Sequence, residues 1–122
     1  MTALLVIAHG SPRPEANKDV LAVAEQVRRS GPFSFVQTCY LDCNEPDISA
    51  GVDLCVDAGA SEIVAVPYLL HSGKHFVRDL PQILEESAGR HPGIRILMGN
   101  YIGREPQMLD VIRDRVAEAE RR

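Results

Sequence analysis

Short dense apolar runs alternate along the chain with segments of helical periodicity. The first run, residues 4–8, is apolar without alternation, which is typical of a strand covered on both faces. After a turn rich in Gly and Pro, apolar residues recur at i, i+3, i+4 and i+7, the stripe of an amphipathic helix. These positions are Val20, Val23, Ala24 and Val27. Gly31 and Pro32 then predict the end of that helix.

The same cycle repeats three more times. The pattern predicts further strands over residues 33–41, 62–66 and 94–98. Pro46 and Pro81 are each expected in the first turn of the following helix, where a missing N–H costs little. The predicted inward residues of these three helices are Ile48, Val52, Cys55, Val56, Leu80, Ile83, Leu84, Leu109, Ile112, Val116 and Ala119.

Four strand-then-helix cycles in 122 residues predict an α/β fold with one parallel sheet and helices on both faces. Right-handed crossovers favour a flavodoxin-like winding with strand order 2-1-3-4. The length suits a single domain over residues 1–122, and no linker or repeat interrupts it.

Composition narrows the partners. The chain carries 13 Lys and Arg against 17 Asp and Glu, a net charge of −4, without long basic runs, which disfavours nucleic acid. Three cysteines argue against a secreted disulfide framework. The apolar run at the N-terminus is too short for a signal peptide or a membrane span. We therefore expect a cytoplasmic protein.

Candidate chemistry gathers at the carboxyl ends of the predicted strands, where such sheets bind ligands. The residues found there are His9, Asp42, Glu45, His71 and His75. A switch point between strands one and three would place His9 opposite the other two histidines across one crevice. Imidazoles with carboxylate suit divalent Fe, Co, Ni or Zn, and they also transfer protons near neutral pH.

Simpler interpretations of these residues stay open. His9 also fits a polar residue that merely ends a strand, and His71 and His75 share a face only if their segment is helical. His91 precedes strand four, so we expect it in solvent at the opposite end of the sheet. Cys39 and Cys43 straddle a strand end, which disfavours binding of a metal by their thiolates.

Two segments carry a resemblance to a known family. The first is residues 5–11 (LVIAHGS) with Glu15-Ala16-Asn17, and the second is residues 66–75 (VPYLLHSGKH) with Asp79-Leu80-Pro81. Together with Glu45-Pro46 and with Gly103 and Pro106, they resemble the small class II chelatases over residues 3 to 118. These are the single-domain sirohydrochlorin cobaltochelatases and their ferro- and nickel-chelatase relatives.

The resemblance implies roles for individual residues. The metal-contacting histidines of the family fall on His9 and His75. Its acidic position, usually Glu, falls on Asp42, with Glu45 as the alternative. His71 is an extra imidazole that serves either as a spare ligand or as a substrate contact. Carboxylates of the tetrapyrrole would meet cations at the same end of the sheet, namely Arg13, Lys74, Arg78 and Arg104.

The function implied is insertion of Co²⁺ or Fe²⁺, or else Ni²⁺, into sirohydrochlorin during cobalamin or siroheme biosynthesis. The metal would be a substrate, with no tightly bound cofactor, and the chain would form a homodimer. The alternative is a non-catalytic carrier of metal or tetrapyrrole that uses the same cleft. A third possibility, a flavodoxin-like binding module, is disfavoured because no phosphate-binding loop follows strand one.

Overall fold

The computed structural model describes residues 1–73, 78–103 and 105–121. Four strands alternate with four helices, as predicted. In chain order the elements are β1 (Thr2–Ala8), α1 (Pro14–Ser30), β2 (Val36–Tyr40), α2 (Ile48–Asp57), β3 (Glu62–Pro67), α3 (Leu80–Gly89), β4 (Arg95–Met98) and α4 (Gln107–Glu120). None of the helices in these ranges is long and apolar enough to cross a membrane.

The four strands form one parallel sheet in the order β2-β1-β3-β4. This confirms the predicted fold class and strand order. In the register of the sheet, Val6 of β1 pairs with Thr38 on one side and with Val66 on the other. From β1 the chain passes to β2 on one side and then crosses over to β3 on the other side. The carboxyl ends of β1 and β3 therefore flank the expected binding crevice.

The central strand β1 is buried on both faces. Leu5 and Ile7 point into a core cluster with α2 and α3, which supply Val52 and Leu80 among others. Leu4 and Val6 point the other way, into a cluster built around Ala24 of α1. The unbroken apolar run at the start of the sequence has this structural cause, since each face of β1 packs against a different layer.

Two local predictions about the helices were wrong. Pro46 is not in the first turn of α2, because the helix begins at Ile48 with Asp47 as its N-cap, whose side chain accepts a hydrogen bond from the Ala50 N–H. Val23 is 38% exposed instead of inward, while Ala24 is buried. At about 100° per residue, Val23 lies some 60° around the helix from Val20, at the edge of the apolar stripe.

The last helix departs most from expectation. Within Gln107–Glu120, all of which the structure describes, no residue is buried. The predicted inward residues Leu109, Ile112 and Val116 are 52%, 58% and 53% exposed. On β4, Leu97, which pairs with Val64 of β3, is also 39% exposed. An apolar helix face and part of an apolar sheet face are therefore left uncovered within one chain.

The packing of α2 on β2 depends on Gly51. A Cβ at this buried position would lie 2.8 Å from the Cys39 Cβ and 3.1 Å from Leu5 Cδ1. The overpacking penalty, about 1–3 kcal/mol or more, opposes a gain of about 1 kcal/mol in helix propensity. Because the nearest atom is fixed to the backbone of β2, we expect Gly51→Ala to lower the free energy of unfolding by about 1–2 kcal/mol in denaturant titrations.

Gly89→Ala is the matched control, because its Cβ would meet no described atom within 4 Å. That variant is expected to hold or raise the free energy of unfolding by up to about 1 kcal/mol. Equal effects of the two substitutions would contradict the close packing of α2 against β2.

Candidate functional site

His9 is the first residue after β1 at the carboxyl end of the sheet. Its side chain is exposed, and its Nδ1 lies 3.4 Å from the carbonyl oxygen of Gly10. Gly10 has a φ of +96°, a region that L-residues rarely adopt. The chain thus turns sharply at the end of β1 and leaves the imidazole facing solvent, in reach of a ligand.

The loop after β1 touches the loop after β2 at close range. The Leu41 N–H donates to the Ala8 carbonyl oxygen at 2.9 Å and the Asp42 N–H to the His9 carbonyl oxygen at 3.0 Å, so backbone hydrogen bonds continue past the end of β2. A Cβ at Gly10 would lie 2.0 Å from the Asp42 carbonyl oxygen. Glycine is therefore required at position 10 both for its φ and for this approach, and the pair of loops fixes the backbone under His9.

Two cavities meet at His9. One, of about 330 Å³, lies on the α1 side and includes Ser11, Asn17 and Ile102 in its lining. The other, of about 350 Å³, includes Leu41, Leu69 and His71. His9, Tyr68 and Leu70 line both. The structure thus brings His9 and His71 to one open crevice between the ends of β1 and β3, as the sequence predicts.

The two candidate carboxylates are placed differently. Asp42 is exposed beside the His9 loop, and its Oδ1 accepts a hydrogen bond from the Cys43 N–H at 2.8 Å. Glu45 instead lines cavities with Pro46 on the β2 edge of the sheet, away from those that include His9. Between the two, Asp42 is the residue whose backbone contacts the His9 loop.

Three of the predicted site residues lie outside the described residues, namely His75, Lys74 and Arg104. Within the described ranges, no group of three or more His, Cys, Asp or Glu is close enough together to hold a metal ion.

Of the predicted substrate-binding cations, two are described. Arg13 is exposed in the loop between β1 and α1, where its N–H donates to Ser11 Oγ at 3.1 Å. Arg78 is exposed immediately before α3. Both lie on connections that leave or enter the carboxyl end of the sheet, which is the end that carries His9.

Two of the three cysteines are unsuited to metal binding. Cys39 and Cys55 are fully buried free thiols. Burial raises the pKa of Cys39 strongly and that of Cys55 to about 11, because it disfavours the charged thiolate. Both side chains are accordingly neutral and belong to the apolar core.

His91 lies at the amino end of the sheet, before β4, as expected. Its side chain is only 23% exposed, however, so the expectation of a solvated residue was wrong. The His91 Nε2 is 2.6 Å from Asp53 Oδ1, which also receives Arg90 Nη2 at 2.8 Å. These two partners, His91 first, lower the pKa of Asp53 and tie α2 to the end of α3. His91 has a structural contact and no part in the crevice.

Sequence reasoning gave no role to several residues that support or line the crevice. Tyr68 and Leu70 follow β3 within the second motif, but the motif does not predict that they line the crevice. The Leu70 residue is 65% exposed, which is high for a leucine. Asn17 and Asn44 both bond to the His9 loop. Asn17 belongs to the first quoted motif, whereas no local pattern marked Asn44.

Comparison with known proteins identifies the family. The sequence profile of CbiX matches residues 3–119, and the chain belongs to the CbiX family. Among curated proteins, it is 32% identical to the sirohydrochlorin cobaltochelatase of Sulfolobus acidocaldarius, over 98% of this chain and 93% of that protein. It is 28% identical to the sirohydrochlorin ferrochelatase of Priestia megaterium, over 97% of this chain and 44% of that protein.

The solved structure of one chelatase is closely similar. The sirohydrochlorin chelatase SirB from Bacillus subtilis subspecies spizizenii, in complex with cobalt, superposes with a TM-score of 0.89 at 30% identity. The match covers 96% of this chain and 50% of SirB. The chain therefore spans half or less of the length of some relatives, and nearly all of the length of others.

Proposed function

We propose that this protein is a sirohydrochlorin chelatase, a lyase-type enzyme that inserts Co²⁺ or Fe²⁺, with Ni²⁺ as a third candidate, into the free-base tetrapyrrole. The observation that carries the proposal is the open crevice between the ends of β1 and β3, lined by the imidazoles of His9 and His71. A relative of about this length is named a sirohydrochlorin cobaltochelatase, and relatives more than twice as long are named a ferrochelatase and a cobaltochelatase, which supports this substrate class.

The reaction consumes one divalent ion and one free-base ring, and it releases two protons from the pyrrole nitrogens. An imidazole is suited to both needs, because its neutral form ligates borderline metals and accepts a proton near neutral pH. His9 is exposed at the crevice. A metal bound there by few protein groups keeps open coordination positions, into which ring nitrogens can enter.

We assign the remaining roles as follows. His75 is the second imidazole for the metal substrate, as the family motif implies, and His71 is a secondary ligand or substrate contact. Asp42 is preferred over Glu45 as the acid near the metal, because its loop contacts the His9 loop. The carboxylates of sirohydrochlorin would be met by the rim cations Arg13, Lys74, Arg78 and Arg104.

His9→Ala tests the assignment of the first ligand. We expect metal insertion into sirohydrochlorin, followed by absorbance of the metallated product, to fall below detection in this variant. The thermal unfolding curve should be unchanged, because the His9 side chain is exposed and contributes no core contacts.

His91→Ala is the matched control, because His91 is bonded to Asp53 at the other end of the sheet. It should lower thermal stability and leave the insertion rate of the folded protein intact. Full activity of His9→Ala would contradict its role. Wild-type protein that binds Co²⁺ and sirohydrochlorin but forms no metallated product would identify a carrier instead.

The two histidines of the third loop should contribute unequally. We expect His75→Ala to reduce kcat at least tenfold more than His71→Ala, which corresponds to about 1.4 kcal/mol in the barrier. Activity should also fall at acidic pH, where imidazole side chains take up a proton. A protonated ring can neither bind the metal nor accept a pyrrole proton.

The measurement is a pH–rate profile at saturating metal for wild type and for both variants. Greater damage in His71→Ala would reverse the assignment and make His71 the ligand. Unchanged rates in both variants would remove the two-imidazole site altogether.

We further infer that the working form is a homodimer, with the second copy seated against α4. The helix leaves Leu109, Ile112 and Val116 more than half exposed, and Leu97 on β4 is also open to solvent. A second copy would bury both surfaces at once in a two-fold arrangement. Relatives of about twice this length have room for a second unit in the same chain, which supports pairing of two such units.

Ile112→Glu tests this interface. We expect light scattering after gel filtration to give a dimer for wild type and a monomer for the variant at the same micromolar concentration. A buried carboxylate without a partner would weaken association at least tenfold, about 1.4 kcal/mol. Leu21→Glu on α1, where the wild-type side chain is 49% exposed, is the control and should remain dimeric. Monomeric wild-type protein would contradict the proposal.

We place this activity in the cytoplasm, within the biosynthesis of cobalamin or siroheme. The three cysteines are all free thiols, which fits a reducing compartment.

A further inference from the structure

The backbone of Ser11, two residues beyond His9, is held from both sides by asparagine side chains. Asn44 Oδ1 accepts a hydrogen bond from the Ser11 N–H at 2.8 Å. Asn17 Nδ2 donates to the Ser11 carbonyl oxygen at 3.0 Å. Asn44 reaches across from the loop between β2 and α2, and Asn17 from the first turns of α1, so both polar groups of one peptide residue are satisfied by different elements.

This arrangement complements the backbone contacts at His9 itself. On the other side of Gly10, the Asp42 N–H bonds to the His9 carbonyl oxygen, while Gly10 packs against the Asp42 carbonyl. Asn44 shares in that close packing, since its Oδ1 would lie 3.2 Å from a Cβ at Gly10. The segment from His9 to Ser11 is therefore held before and after Gly10, whose φ of +96° turns the chain at the end of β1.

The His9 side chain does not supply this order itself. It is exposed, and the 3.4 Å separation between its Nδ1 and the Gly10 carbonyl oxygen is at most a weak contact. Asn44 is not among the described residues that line the two cavities at His9, whereas Asn17 lines the one on the α1 side. The contact of Asn44 with this loop is its hydrogen bond to the Ser11 backbone.

We propose that Asn44 and Asn17 are positioning residues that hold the His9 loop between them and so orient the His9 imidazole for the metal substrate. The inference rests on the proposed function, because it takes His9 as a metal ligand. Groups that orient a ligand commonly change metal affinity or activity about 10–100-fold when they are removed. The gain comes from preorganisation, since a ligand already in place loses less conformational freedom on binding.

The two asparagines use opposite ends of the amide, and this gives a sharp test. Asn44 needs an acceptor, so Asn44→Asp keeps the bond to the Ser11 N–H, whereas Asn44→Ala removes it. Asn17 needs a donor, so Asn17→Asp both removes the bond and sets a carboxylate against the Ser11 carbonyl oxygen. A position at which only the size of the side chain mattered would tolerate Asp equally at both sites.

The probe is Co²⁺ alone, titrated by calorimetry in the absence of tetrapyrrole, together with hydrogen exchange at the Ser11 amide. We expect Asn44→Ala and Asn17→Asp to weaken Co²⁺ binding about tenfold or more. Asn44→Ala should also speed exchange at Ser11, because the donor loses its partner. Asn44→Asp should keep the Co²⁺ affinity within about threefold of wild type, or raise it, and keep the Ser11 amide protected.

Asp47→Ala separates positioning from general loosening of the loop. Asp47 lies three residues after Asn44 and makes a side-chain bond of the same 2.8 Å length, to the Ala50 N–H at the start of α2. Loss of this cap should lower thermal stability by about 1 kcal/mol and leave the Co²⁺ affinity within about threefold. Equal loss of Co²⁺ affinity in Asp47→Ala and Asn44→Ala would overturn the positioning role.

Insertion assays keep this inference distinct from the proposed function. Wild-type protein that binds Co²⁺ through His9 without metallating sirohydrochlorin would overturn the chelatase assignment, and the Co²⁺ titrations would still decide the role of the asparagines. Wild-type protein that metallates sirohydrochlorin, with unchanged Co²⁺ affinity in Asn44→Ala and Asn17→Asp, would overturn the positioning role alone.

Discussion

The position of β1 at the centre of the sheet is the constraint on which the rest of the structure depends. It is hydrogen-bonded to β2 on one edge and to β3 on the other, and both of its faces are buried. A strand held on four sides has no freedom to slide, because a shift of one residue would exchange its two core faces. The end of β1, and with it His9, is therefore located by the packing of the whole domain.

Beyond the strands, the loops at the carboxyl end are held together by close backbone approaches. Gly10 packs against the Asp42 carbonyl, and a Cβ at Gly103 would fall 1.6 Å from the Leu70 carbonyl oxygen. The Gly103 N–H also bonds to the Leu69 carbonyl oxygen at 3.1 Å. The contact at Gly10 joins the loops that follow β1 and β2, and the contacts at Gly103 join the loops that follow β3 and β4. The crevice lies between these two pairs of loops. Its base is held by the backbone contacts, and its other side is open to solvent.

The sequence was most informative where burial is symmetrical. The unbroken apolar run of β1 and the four strand-helix cycles predicted the sheet, its order and the placement of His9 and His71 at one crevice. It was less informative at helix starts. Pro46 predicted a first turn at its own position, but the helix begins two residues later, after the side-chain cap of Asp47.

The exposed face of α4 could not be predicted from the chain alone. An apolar stripe such as Leu109, Ile112 and Val116 predicts that a helix face is buried. It does not indicate whether the same chain or another chain buries that face, because both cases require the same residues. The hydrogen bonds from the asparagine side chains to Ser11 could not be predicted from the sequence for a related reason. Asn44 is brought to Ser11 by the pairing of β1 with β2, across 33 residues, and no spacing rule encodes such a contact.

The contacts around His9 bear on how a metal ion could be bound and then released at this site. A protein with the proposed chelatase activity must bind its metal and then release it, so a full set of protein ligands would oppose the transfer. In the described part of the chain, the crevice is lined by two imidazoles, and the Asp42 carboxylate accepts a hydrogen bond within its own loop. Rigidity comes instead from the backbone of the His9 loop, held by Asp42, Asn44 and Asn17. Such a site can direct one ligand accurately while leaving the coordination sphere unfilled, and the ring nitrogens can then complete what the protein leaves open.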